Sequence, residues 1–153
     1  MGSISIDRDN SEEFKQRLDA AAEKALEMIG GVIESAAKEN LTANGSVDTG
    51  LLRNSITHAL GGEYPAASIY SNNAGGINKA GKKIEEKTGE YNAQAPRDAN
   101  ENEKTVYVGS NVEYAPYVEL GTTTQHAKPY MRPAVEQSKD RIKAAFQIAF
   151  EGL

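Results

Sequence analysis

The feature that most constrains this chain is a long apolar stripe near its start. Between residues 11 and 39, Phe14, Leu18, Ala21, Ala22, Ala25, Ile29, Val32, Ile33 and Ala36 recur in steps of three and four, the period of one helix face. Asn10 stands at the cap position and Glu13 three residues on, the spacing of a capping box, while Glu12 and Glu13 complement the positive helix end. Glu13 with Arg17 and Glu34 with Lys38 are favourable i,i+4 pairs. One conflict lies inside this helix. Gly30 and Gly31 cost about 2 kcal/mol relative to two alanines, so the helix either bends there or is approached by another helix or subunit where a side chain would not fit.

A loop at 44–46 ends that unit, and residues 47–56 read as a short helix, capped by Asp48 or Thr49, running into a strand. Segments 55–60, 66–71 and 105–109 carry β-branched or aromatic residues bounded by turn formers, and we expect one antiparallel sheet. Gly61, Gly62 and Pro65 make the first hairpin connection. A last helix opens at 128–134, with Pro133 suited to its first position. Val135, Ile142, Ala145, Phe146, Ala149 and Phe150 form its apolar stripe and Gly152 ends it. The fold class is α+β: an antiparallel sheet packed with a long N-terminal helix and a C-terminal helix, plus a long flexible loop between two strands.

Composition locates that loop. Leu, Ile, Val and Phe number 28 of 153 residues, below the roughly 20% at which disorder becomes a concern, yet only Ile77 and Ile84 of them fall between 72 and 104. The chain is one domain, 1–153, with this loop inside it, and 16 of the 21 alanines and six of the seven tyrosines lie outside the loop. Segment 72–104 cannot bury enough apolar surface to order itself. Its first half carries Lys79, Lys82, Lys83 and Lys87 against Glu85 and Glu86. Two readings stay open: a mobile loop that orders against a partner, or an inert insertion.

Several functions are excluded or weak. No apolar run approaches the ~18 residues of a membrane span, and the N-terminus lacks the flank and stretch of a signal peptide, so we expect a protein made and kept in a cytoplasm. There is no cysteine, which removes disulfides, thiolate metal sites and cysteine nucleophiles. A net charge of −5 disfavours a tightly held nucleic acid. Gly76 to Lys82 imitates the spacing of a phosphate-binding loop, but Lys83 stands where a magnesium-binding hydroxyl belongs. Ser55, His58 and Asp48 form a triad on paper only. Glu113 and Glu119 suit a solvated or subunit-facing edge better than a glycosidase pair. We expect no catalytic residue, no cofactor and no metal.

Three patches remain: Val47-Asp48-Thr49-Gly50-Leu51-Leu52-Arg53-Asn54-Ser55-Ile56, then residues 106–122 with Tyr114, Ala115, Tyr117, Glu119, Gly121 and Thr122, then Ala127-Lys128-Pro129-Tyr130-Met131-Arg132-Pro133-Ala134. In this order, between a long first helix and a closing helix, they resemble the small tail-component or neck family of long-tailed bacteriophages. Read physically, Asp48, Thr49 and Gly50 start a helix tightly, Leu51 and Leu52 bury, and Arg53 is left to pair with a carboxylate such as Glu119. Tyr114, Ala115, Tyr117 and Val118 suit either a subunit boundary or a core edge. Pro129 and Pro133 fix the entry to the last helix, with Arg132 between them.

The resemblance implies a non-enzymatic structural protein forming a ring of six copies between the head connector and the tail tube or tail terminator, in the virion neck, assembled in the host cytoplasm. DNA would pass through the lumen without specific binding, and no membrane is involved. The subunit and partner contacts it implies are Asp48, Thr49, Gly50, Leu52, Arg53, Ser55, the 114–122 residues above, Pro129, Arg132 and Pro133, with Lys79, Lys82, Lys83, Glu85, Glu86 and Lys87 as an assembly loop. Alternatives are a stopper, adaptor or terminator, or a soluble peptide-binding or inhibitory module using the sheet edge.

Overall fold

A computed structural model describes residues 9–61, 69–91 and 104–153. The elements are α1 (Ser11–Ala43), α2 (Leu51–Ser55), β1 (Thr57–Leu60), β2 (Ile69–Ser71), β3 (Thr88–Glu90), β4 (Val106–Gly109), α3 (Ala115–Leu120), α4 (Met131–Gln137) and α5 (Lys139–Phe150). No helix among the described residues is long and apolar enough to cross a membrane.

The helix α1 is continuous through Gly30 and Gly31 and reaches Ala43, so the glycines do not divide it into two shorter helices. Its start differs from the capping box: Asn10 makes no side-chain cap bond, and the carboxylate of Asp9 accepts the Ser11 amide at 2.9 Å instead. The Glu34–Lys38 pair is made. Arg17 donates to the carbonyl of Gly152 at 2.6 Å, while Asn40 and Asn44 donate to the carbonyls of Tyr130 and Lys128. These contacts tie the end of the chain to the start of α1 and the start of α4 to its end, so α4 and α5 run antiparallel along it. The expected single last helix is interrupted at Ser138, which is buried and whose amide turns back to Val135. Pro133 therefore sits third in α4, not first.

Small residues make this seam. Ala25, Ala36 and Ala37 of α1 and Ala134, Ala145 and Ala149 of α4 and α5 are buried, which lets helix backbones approach closely. Ile29, Ile33 and Leu41 fill the space beneath Leu51, Leu52 and Ile56. Of the expected stripe on the last helix, Val135 and Phe146 remain exposed.

Two antiparallel ribbons replace the expected single sheet. Strand β1 pairs with β4, His58 opposite Val108 and Leu60 opposite Val106; β2 pairs with β3, Tyr70 opposite Gly89. The pairing of β1 with β4 follows from alternation, since it places His58, Leu60, Val106 and Val108 on the face toward α1. Strand β2 offers only Ile69, which is exposed, and Tyr70, whose ring lies where a side chain on Gly89 would be. The expected hairpin through Gly61, Gly62 and Pro65 is not formed among the described residues, since β1 pairs with β4 and β2 with β3; Gly62 and Pro65 themselves lie outside those residues.

Candidate functional site

Within 72–104, residues 72–91 are folded, and 92–103 lie outside the described residues. Asparagine side chains do what apolar residues would otherwise do. Asn72 donates to the Glu85 carbonyl at 2.7 Å and accepts the Lys87 amide at 3.0 Å, closing the loop across its base. Asn78 accepts the amides of Ala80 and Lys82 at 3.0 and 2.9 Å, Ile77 bridges Lys83, and Ile84 is buried. The amides that imitate a phosphate cradle are thus already taken by the protein's own oxygens.

The first patch holds this loop. Asp48 accepts the Lys79 amide at 2.9 Å rather than capping α2, and the Thr49 carbonyl accepts the Asn73 amide at 2.8 Å. Asn54 donates to the Ser71 carbonyl at 2.7 Å and to the Asn73 side chain at 3.3 Å. Lys79 donates to the Gly45 carbonyl. Gly50 has φ +83°, and a Cβ there would lie 2.4 Å from the side-chain Nδ2 of Asn73. Both conditions call for glycine. A cleft of about 730 Å³ runs between the two strips, with Arg53, Lys82, Lys83, Lys87, Glu85 and Glu86 on its walls and Leu52 and Ile84 below.

The second and third patches form a frame around the first. Ser55, fully buried, donates to the Leu52 carbonyl at 2.7 Å and meets the Ser110 hydroxyl at 2.5 Å. Glu119 does not pair with Arg53. Its carboxylate accepts the amides of Tyr130, Met131 and Arg132 at 2.7, 2.9 and 3.1 Å, capping α4. Burial pushes this carboxyl up, but the three amides and the Arg132 charge outweigh it and hold it below the ordinary glutamate value. Tyr130 is buried, its hydroxyl reaches the Ala115 carbonyl at 3.5 Å, and burial pushes it up to about 12. Gly121 has φ +78° and no room for a Cβ beside Ala127 and Gln125; the Thr122 amide closes this turn onto the Gln125 carbonyl. The Pro129 carbonyl accepts from Asn44 at 3.4 Å. The patches therefore meet in space, with Ala115 and Leu52 inside and Tyr117 facing out.

The paper triad does not assemble, because Ser55 goes to Ser110, Asp48 to Lys79, and His58 to two carboxylates of α1. No group of three or more His, Cys, Asp or Glu able to hold a metal occurs among the described residues. The contact that sequence reasoning missed is His58, whose Nδ1 lies 2.6 Å from Glu34 and Nε2 3.1 Å from Glu27. The available signal was Glu27 and Glu34 seven residues apart, on one helix face, with Gly30 between them.

Residues 8–121 match a family described as "Bacteriophage HK97-gp10, putative tail-component". The match takes in the first patch and the second as far as Gly121, and ends before Thr122 and the third. No curated protein and no solved structure matches the chain.

Proposed function

The chain belongs to the HK97-gp10-like family of phage tail components, and from that premise we propose that it is a non-enzymatic subunit of the neck, where six copies close into a ring between the head connector and the tail tube. The observation that carries the ring is on α3. Tyr114, Tyr117 and Leu120, three residues apart, are 40%, 58% and 72% exposed, while Ala115 on the opposite side is buried. An apolar stripe on a rigid frame is a candidate protein contact. It is solvent-facing in the lone subunit, and a head-to-tail contact repeated by rotation closes a ring.

The lysines of the braced loop, Lys82, Lys83 and Lys87, then face a neighbouring component, while Lys79 holds the loop to Gly45, and DNA passes through the lumen unread. The net charge of −5 supports passage, because a basic wall would retain phosphates. Native mass spectrometry of the purified chain, alone and with connectors or tail tubes, tests this. A closed oligomer, formed alone or on addition of either component, is the expected result. A chain that stays monomeric with both overturns the ring, and binding to one end only separates a stopper, adaptor or terminator role from head-tail joining.

A further inference from the structure

The β1–β4 ribbon has two strands, and a two-stranded ribbon is at best marginally stable without something to pack against. Every residue of both strands is only half-buried, and what the ribbon packs against is α1, through Val106, Val108 and His58. The His58 ring lies so close to α1 that a Cβ at Gly30 would be 2.4 Å from Cδ2, and its two nitrogens reach Glu34 at 2.6 Å and Glu27 at 3.1 Å. Ionised carboxylates only accept, so both ring nitrogens must donate, which the imidazolium alone does.

We infer that His58 is a proton-operated latch: charged, it clamps the β1–β4 ribbon to α1 through Glu27 and Glu34; neutral, it keeps one of the two bonds and the ribbon loosens. The surrounding charges agree. From α1, Glu34 also binds Lys38. Ahead of β4, Lys104 is taken up by Glu23 at 2.9 Å and Asp19 at 3.7 Å, so it does not compete for Glu27 or Glu34. From β4 the neighbours are Val106 and Val108, with Tyr107 opposite Ala59. Tyr91 feels the Glu34 charge. Burial lowers the His58 pKa, but the bonds and charges of Glu34 and Glu27 outweigh it and raise it above the ordinary histidine value. The sign follows: the clamp is fully present below the unfolded-state pKa and is lost as pH rises through the higher folded one. The latch is independent of the ring reading.

The test follows the imidazole carbon-bound proton signals of the full chain by NMR from about pH 5 to about pH 9, together with amide protection of β1 and β4 relative to α5. The expected result is a His58 midpoint above that in the urea-unfolded chain, each unit of offset being a tenfold change in the latch equilibrium. Ribbon protection should fall about threefold or more through that midpoint while α5 is unchanged. Glu27 is 63% exposed, so Glu27→Gln leaves the fold in place and should move the midpoint down. A His58 midpoint at or below the unfolded value, a midpoint unmoved by Glu27→Gln, or ribbon protection that tracks α5 through the transition overturns the latch.

Discussion

The imidazole of His58 occupies the space that a side chain at position 30 would need: a Cβ on Gly30 would lie 2.4 Å from its Cδ2 and 2.8 Å from a methyl of Val106. At Gly31 the nearest such atom is His58 Cε1 at 3.9 Å, an ordinary contact. Two adjacent helical glycines therefore answer differently to the same change. Helix propensity favours alanine at each by up to about 1 kcal/mol, but overpacking at position 30 costs about 1–3 kcal/mol. Gly31→Ala should raise the urea midpoint, and Gly30→Ala should lower it. The same sign for both would show that the ribbon does not press on α1 at Gly30.

Asp48 joins the first patch to the 72–91 loop. Asp48→Ala removes the acceptor of the Lys79 amide, a charge-assisted bond worth about 1 kcal/mol at this exposed site. Hydrogen exchange should quicken at Lys79 and Asn73 while Ile33 and Leu41, in the buried part of α1, stay protected. Equal loss at both places would mean that the loop and the core open together.

Glu119→Gln keeps the shape of the α4 cap and removes its charge, and should cost about 1 kcal/mol at neutral pH. The carboxyl is depressed in the folded chain, so its contribution is present above the unfolded-state pKa and lost as pH falls through the lower folded one. Stability curves of the two proteins should converge in acid. Glu34 is shifted in the same direction and is common to both, so it cancels. A difference that persists unchanged in acid would remove the cap from the account.

Tyr117 and Leu120 are exposed, and the double change Tyr117→Ala with Leu120→Ser should leave the circular dichroism spectrum unchanged and the unfolding free energy of the subunit within about 0.5 kcal/mol of the parent. It should abolish the oligomer. An oligomer that survives this change at unaltered concentration dependence would move the interface away from α3.

What could be read from the residues alone was local. The period of three and four defined α1 to its first residue, the order of helix, strands and closing helix was legible, and the three patches pointed to the phage tail-component family, whose match covers residues 8–121. Local patterns specify local structure because 3.6 and 2 are short-range periods. The tertiary structure decided where partners met. It joined β1 to β4 across 45 intervening residues (61–105), a pairing that sets Leu60, Val106 and Val108 with His58 on the face toward α1. It gave Asp48 and Glu119 to amides far away in sequence rather than to their own helix or to Arg53, since a carboxylate satisfies whichever donors the fold leaves unpaired. Residues 72–91 looked too polar to order, and are held by Asn72 and Asn78. Hydrophobic counting does not register a loop whose interior is made of amides. The glycine pair was visible from the start, but what approaches Gly30 is neither another helix nor a subunit: it is His58 of β1 and Val106 of β4, placed there by the tertiary fold.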